Sequence, residues 1–183
     1  MSVSGYPASL QVDVATSDHL AEIRQVYEHA RAIQRQQGST VWPEFSDAAI
    51  LAEISAHHLF RVVDGKTVVG IFSVAYADEA IWGEYERGAH IYLHRIARAP
   101  GSRDARLVDT VLAWAHTECR ARGLAGLRID TWSNNAALIA YYQRLGFEVV
   151  GHRRIEVDHR LPEHYHGIEF ALLEKTSDPE DGR

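Results

Sequence analysis

From Asp130 to Phe147 the chain reads Asp-Thr-Trp-Ser-Asn-Asn-Ala-Ala-Leu-Ile-Ala-Tyr-Tyr-Gln-Arg-Leu-Gly-Phe, a run that predicts a strand end, a turn, a helix, a glycine stop and a new strand. Leu127 and Ile129 alternate with polar residues, as in a half-buried strand. The Ser133-Asn134-Asn135 cluster then supplies side-chain acceptors for the unpaired N–H groups of a helix start, and Gly146 marks its end. At helical spacing Leu138, Tyr141 and Leu145 share an apolar face, while Ile139 and Tyr142 lie one step round. Adjacent tyrosines therefore meet different surroundings, although periodicity by itself reads both as core aromatics.

A length of 183 residues suits one domain with a sizeable core, and 46% hydrophobic with 24% charged residues is ordinary for a soluble globular chain. The formal charge of -6 argues against general binding to a phosphate backbone, so no nucleic-acid partner is expected. The single cysteine, Cys119, reads as a semi-buried thiol on a helix. No apolar run approaches membrane-spanning length, and Met1 to Leu10 lacks the basic start and apolar core of a signal peptide. A cytoplasmic protein without a membrane partner is the expectation.

Met1 to Ser9 reads as a loose leader, followed by a strand at Leu10, Val12 and Val14. Thr16-Ser17-Asp18 opens a helix with the stripe Leu20, Ile23, Tyr27, Ala30 and Ile33, and Gly38 ends it. Trp42 and Phe45, either side of Pro43, wall a pocket or plug the core. Ser46-Asp47 caps a second helix through about His57, with Ile50, Leu51 and Ile54 on its apolar side. Leu59–Val63 and Thr67–Ala77 flank Asp64-Gly65-Lys66 as a hairpin. Asp78 to Gly88 is acidic and carries Trp82 and Tyr85; it reads as a solvated loop, or as a pocket rim whose carboxylates and rings receive a cationic amine. His90 to Ala97 reads as a strand with His90, Tyr92 and His94 on one face and Ile91, Leu93 and Arg95 on the other, unless a bulge intervenes.

A further helix places Leu107, Val111, Leu112 and Ala115 on its apolar side and stops at Gly123. Phe147–Ile155 and Gly167–Glu174 are the last strands, and the tail from Thr176 reads as disordered. The connection between those strands holds Asp158, His159, Arg160, Pro162, Glu163, His164, Tyr165 and His166, whose spacing matches no zinc pattern, so no metal is expected. This order suits an α/β protein built on a mixed sheet with helices on both faces, with neither repeat nor second domain.

Asn135, Leu138, Tyr141, Tyr142, Leu145 and Gly146-Phe147 resemble the C-terminal signature of the GNAT superfamily of N-acetyltransferases, and the element order resembles that fold across nearly the whole chain. The resemblance implies acetyl-coenzyme A (acetyl-CoA) as cosubstrate and direct transfer of its acetyl group to the primary amine of a small molecule. Tyr142 would protonate the departing thiolate, a part open to a neutral phenol with a pKa of about 10. The central strand would carry or border the general base, for which His94 is preferred; the other reading of each histidine is a hydrogen-bonded structural residue. Ile96, Ala97 and Arg98 would offer backbone groups to the pantetheine arm.

The pyrophosphate loop would fall on Arg103, Asp104, Ala105, Arg106, Leu107 and Val108, with Arg106 and Val108 standing where the family has small residues. Either Arg103 and Arg106 hold the pyrophosphate by charge-assisted hydrogen bonds, or the side chains fill the cleft and leave a non-catalytic GNAT-like ligand-binding or assembly protein that has lost acetyl-CoA. Asp104 reads as compensation for the helix dipole, and Asn135 would position cofactor or substrate. Trp42, Phe45, Glu84, Glu86 and Tyr92 would contact the acceptor, with the 158–166 connection lying over it. Polyamines, aminoglycosides, amino acids and peptide N-termini all remain open as acceptors, and exposed strand edges admit a homodimer.

Overall fold

The computed structural model describes residues 10–156 and 165–177; the expected leader, most of the 158–166 connection and the end of the tail lie outside the described residues. In chain order the elements are β1 (Gln11–Val14), α1 (Leu20–Gln36), α2 (Asp47–Ser55), β2 (Leu59–Asp64), β3 (Thr67–Ala75), α3 (Glu79–Trp82), β4 (His90–Arg98), α4 (Leu107–Arg122), β5 (Gly126–Trp132), α5 (Ala136–Arg144), β6 (Glu148–Arg154) and β7 (Glu169–Thr176). Short 3-10 helices occupy Ser17–His19 and Gly83–Tyr85. The strands join in the order β1-β2-β3-β4-β5-β7-β6. β4 and β5 are parallel, and the β1-β2, β2-β3, β5-β7 and β6-β7 pairs are antiparallel, so the expected mixed sheet is the one observed. Among the described residues no helix is long and apolar enough to cross a membrane. The chain groups into two compact units, Met1–Ser73 with Arg95–Trp114, and Val74–His94 with Ala115–Arg183.

In the first unit, Gly65 at φ 59° turns the β2-β3 hairpin at the expected Asp-Gly pair. Ile23, Val26 and Tyr27 of α1 bury against Ile50 and Ile54 of α2 and Leu59 and Ile71 of the strands. The stripe foreseen on the first helix is thus core, but the helix starts later than expected: Ser17–His19 form a 3-10 turn, fixed as the Thr16 N–H donates to His19 Nδ1 at 3.0 Å. Gly70 has no room for a side chain, since a Cβ there would lie 2.6 Å from the Ala97 carbonyl oxygen and 2.7 Å from a Leu107 methyl. Gly70→Ala is expected to lose about 1–3 kcal/mol in denaturant unfolding, because a backbone carbonyl cannot retreat as a side chain can. Arg95 interrupts the alternation of β4 with φ 50°, the irregularity that the face assignment had left open. Its guanidinium bonds Glu53 and Ser73 Oγ and lies 4.9 Å from the Phe45 ring centroid, contacts that offset a backbone strain of about 1 kcal/mol or more.

The second unit corrects three expectations. Asp78 to Gly88 is not simply a loop: Asp78 Oδ1 accepts from the Ile81 N–H at 3.2 Å to cap α3, and Trp82 is fully buried against Tyr92, Phe170 and Leu172. The two apolar residues Ile81 and Trp82 outweigh their acidic neighbours. β5 is covered on both faces rather than half-buried, so that Arg128 is 3% exposed. The last strand runs through Thr176, into the segment expected to be disordered, and the Ser177 N–H donates to the Ala125 carbonyl at 2.9 Å. The helix read from the opening stretch stands as expected, with Asn135 Oδ1 accepting from the Leu138 N–H at 3.2 Å and Gly146 at φ 88° beyond its end. β6 ends the strand order; its residues alternate between exposed and half-buried, and its pairing slips between Val149 and Gly151.

Candidate active site

Parallel pairing of β4 with β5 covers His90↔Gly126, Ile91↔Leu127 and Tyr92↔Arg128 and then ends, although β5 continues to Trp132. Two residues past the last pair, the same register brings His94 opposite Asp130. His94 Nδ1 lies 3.6 Å from Asp130 Oδ1, and His94 Nε2 lies 3.4 Å from Asp78 Oδ2. Asp78 thus divides its carboxylate between the start of α3 and the imidazole. Asp130 Oδ1 is buried without a hydrogen-bond partner. Burial pushes both carboxyls well above the usual carboxylate range; the His94 ring pulls Asp78 back down, while Asp130 raises it further. Such an arrangement orients an imidazole through both nitrogens and surrounds it with groups that exchange protons near neutrality.

Tyr142 is buried on α5, edge-on to Phe147 at 5.7 Å and to Tyr141 at 5.5 Å. Burial first, then Tyr141 and Asp130, push its hydroxyl above the ordinary phenol range, so it keeps its proton at neutral pH. The Asn135 side-chain oxygen expected on cofactor or substrate is instead the cap of α5.

Of the residues expected to contact the acceptor, Glu84, Glu86 and Tyr92 belong to the second unit and Trp42 and Phe45 to the first. Tyr92 is fully buried, and its hydroxyl accepts from Arg128 Nη1 at 2.7 Å, so it builds the core rather than presenting a ring to a ligand. Glu86 accepts from the Asp78 N–H at 2.9 Å and the Gly88 N–H at 2.7 Å. Those bonds with the Tyr92 hydroxyl and the nearby Arg128 outweigh burial and hold its carboxyl below the usual range, making Glu86 the staple of its loop. Glu84 is exposed on the Gly83–Tyr85 turn. In the first unit, Trp42 and Phe45 pack on Tyr27, with ring centroids 6.3 and 4.7 Å away. Phe45 also borders a cavity of about 390 Å³ lined by Arg24, Arg31, Arg35, Glu28 and Glu44, so one ring plugs the core and the other does both. His90 takes its structural reading, with Nδ1–H donating to the Gly88 carbonyl at 2.6 Å.

The expected pyrophosphate segment lies wholly in the first unit. Ala97 and Leu107 are buried, Ile96 and Val108 half-buried, and Arg98, Arg103, Ala105 and Arg106 exposed. Helix α4 makes an early bond from the Thr110 N–H to the Arg106 carbonyl, which leaves the N–H groups of Leu107, Val108 and Asp109 ahead of the first intrahelical acceptor. Asp104 accepts from the Arg106 backbone N–H at 2.9 Å and from its guanidinium at 2.6 and 3.0 Å. Hydrogen bonds from Arg106, then the charges of Arg106 and Arg98, hold the Asp104 carboxyl down at about 2. The Arg106 guanidinium and the charge of Arg98 beside one carboxylate at a helix start fit a pyrophosphate, provided Arg106 exchanges Asp104 for it.

Sequence reasoning missed Asp78 and Asp130 as partners of His94 and missed Arg128 altogether. Register arithmetic across β4 and β5 would have paired His94 with Asp130; nothing local marks Asp78. Arg128 bonds Glu174 Oε2 at 2.8 Å, the Tyr85 carbonyl at 3.0 Å and Tyr92, with its guanidinium 4.5 Å from the Trp82 ring centroid.

Residues 23–147 match the model of the Acetyltransferase (GNAT) family. The uncharacterized N-acetyltransferase YesJ of Bacillus subtilis strain 168 is 26% identical over 144 residues, covering 69% of this chain and 80% of that protein. Among solved structures, a GNAT-family acetyltransferase from Listeria monocytogenes 4b F2365 matches with a TM-score of 0.72 at 19% identity, over 91% of this chain and 94% of that one. YncA from Salmonella typhimurium, solved with its cofactor acetyl-CoA, matches with a TM-score of 0.63 at 16% identity, over 94% of this chain and 96% of that one. At such identities the structural likeness speaks for the fold.

Proposed function

We propose a reaction from one premise: this chain belongs to the GNAT family of acetyltransferases. The family acts with acetyl-CoA, which supplies an activated acetyl thioester. The proposed acceptor is the primary amine of a small molecule, and the whole chain is taken as one transferase domain working in the cytoplasm, where a lone buried thiol stays reduced. The observation that carries the reading is His94 held between the carboxylates of Asp78 and Asp130, where β4 and β5 cease to pair. In this mechanism the two carboxylates attract the ammonium form of the acceptor, and His94 removes a proton so that nitrogen bears a lone pair. As the new C–N bond forms and the C–S bond breaks, Tyr142 gives its phenolic proton to sulfur. Arg98, Arg103 and Arg106 hold the pyrophosphate with the N-terminus of α4.

A second reading rests on the Asp104–Arg106 pair, which keeps one of those guanidinium groups engaged and an anion at the helix start. In that case the chain is a GNAT-like binding protein without acetyl transfer. Calorimetric titration with acetyl-CoA followed by an acetylation assay on a panel of amines separates the two: saturable binding with turnover supports the enzyme, and no saturable binding at millimolar acetyl-CoA supports the alternative. Once an acceptor is found, Tyr142→Phe is expected to lower kcat at least about tenfold with little change in acetyl-CoA affinity. An unchanged kcat removes Tyr142 from the mechanism.

A further inference from the structure

We propose that the cavity bordered by α1 and α2 binds a small organic acid, its carboxylate held by Arg31 and Arg35 and its apolar body resting on Phe45 and Ile50. The cavity measures about 390 Å³, within the range of about 300–1,000 Å³ found for small-molecule sites. The residues that line it all belong to the first unit. Arg24, Glu28, Arg31 and Arg35 recur at three- and four-residue intervals along α1, so one charged stripe of the helix borders the space. Arg31 and Arg35 stand one turn apart, a spacing at which two guanidinium groups can meet one planar carboxylate. Glu44, Phe45 and Ile50 complete the charged and apolar lining.

Three arginines against two glutamates leave the lining with one net positive charge, which suits a monoanion and disfavours a phosphate dianion. The arginines are not equally engaged. Arg31 Nε donates to the Trp42 carbonyl at 3.0 Å and its Nη1 donates to Glu28, so its guanidinium is held in place. Arg24 lies 3.4 Å from Asp47 in an exposed pair, which contributes little. Arg35, in the last turn of α1, has no carboxylate partner among the described residues.

A second observation concerns Tyr27, which also borders the cavity. The residue is 3% exposed, and its hydroxyl has no hydrogen-bond partner among the described residues. Burial raises its pKa to about 12, with Arg95 lowering it and Glu53 raising it, so the hydroxyl is a donor at neutral pH. Buried donors in folded proteins almost always meet an acceptor. A carboxylate oxygen supplies one. The Tyr27 ring lies 4.7 Å from the Phe45 ring and 6.3 Å from that of Trp42, so flat apolar surface adjoins the charged stripe. An acid with an aromatic or branched aliphatic body therefore fits better than a bare anion.

The test titrates the full chain calorimetrically with benzoate, phenylacetate and isovalerate, and with benzyl alcohol, benzylamine and inorganic phosphate as controls. At least one of the three acids is expected to bind one per chain with a submillimolar Kd, at least about tenfold more tightly than any control. Arg35→Gln, at an exposed position, is expected to weaken that acid at least about fivefold with an unchanged melting midpoint. Tyr27→Phe is expected to weaken it at least about threefold while the ligand-free midpoint holds or rises, because no protein group loses a bond. Absence of saturable binding of all three acids at millimolar concentration overturns the proposal. So does benzyl alcohol binding as tightly as benzoate, which shows that the charge is not read. Affinity unchanged in Arg35→Gln also overturns it, by placing the acid elsewhere. Acetyl-CoA is absent from every titration, so failure here leaves the acetyl-transfer reading as it stands.

Discussion

Replacing His94 with glutamine is expected to lower kcat about 100- to 1,000-fold in chelator-treated buffer, with KM for acetyl-CoA changed by no more than about twofold. Glutamine retains a polar side chain of similar reach between Asp78 and Asp130, but its amide does not take up a proton at neutral pH. Loss of a proton acceptor appears in the chemical step, whereas collapse of the cluster would also disturb unfolding. Steady-state kinetics together with a thermal melt therefore distinguish the two causes. A rate within about threefold of wild type would show that solvent takes the proton, leaving His94 as a residue that ties α3 to β4.

Arg128→Ala is expected to cost about 3–5 kcal/mol of stability, which for a chain of this size lowers the melting midpoint by about 10 °C. The guanidinium is 3% exposed and serves Glu174, Tyr92, the Tyr85 carbonyl and the Trp82 ring together. Removing it leaves the Glu174 carboxylate with His90 3.6 Å away in place of its guanidinium partner, and leaves the Tyr85 carbonyl without its donor. Arg128→Lys is expected to recover less than half of the loss, because one ammonium cannot serve carboxylate, hydroxyl and carbonyl in the directions of a planar fork. Differential scanning calorimetry of both variants checks the pair of values. A loss of less than about 1 kcal/mol for Arg128→Ala would mean that water enters and replaces the guanidinium.

What the sequence disclosed follows the range of the forces involved. Asn135, the α5 helix and Gly146 were legible because capping, periodicity and left-handed backbone are decided within a few residues. The Asp64-Gly65 hairpin was legible for the same reason. His94 stood out as a histidine on an apolar strand, but its partners arrive through strand register and through the cap of a helix made invisible by its acidic neighbours. Arg128 looked like the solvent-facing member of an alternating strand. Only the burial of both β5 faces turns it into an interior charge, and that depends on Trp82 and Tyr92, which are distant in sequence. Tyr92 shows the converse: its polar tip suggested a ligand contact, whereas Arg128 and Glu86 satisfy it internally.

The irregular outer strand β6 has a bearing on handling the protein. An edge strand is a template on which another chain can grow a sheet, and long flat edges nucleate aggregates. Here the ladder slips at Val149 and Gly151, and Glu148, Arg153 and Arg154 place charge at both ends of the strand. A Cβ at Gly151 would come within 2.5 Å of the Tyr85 ring, so the kink sits where a tyrosine needs the space. The same glycine that admits this ring thus helps deny other chains a straight edge, so close packing and edge protection meet at one position.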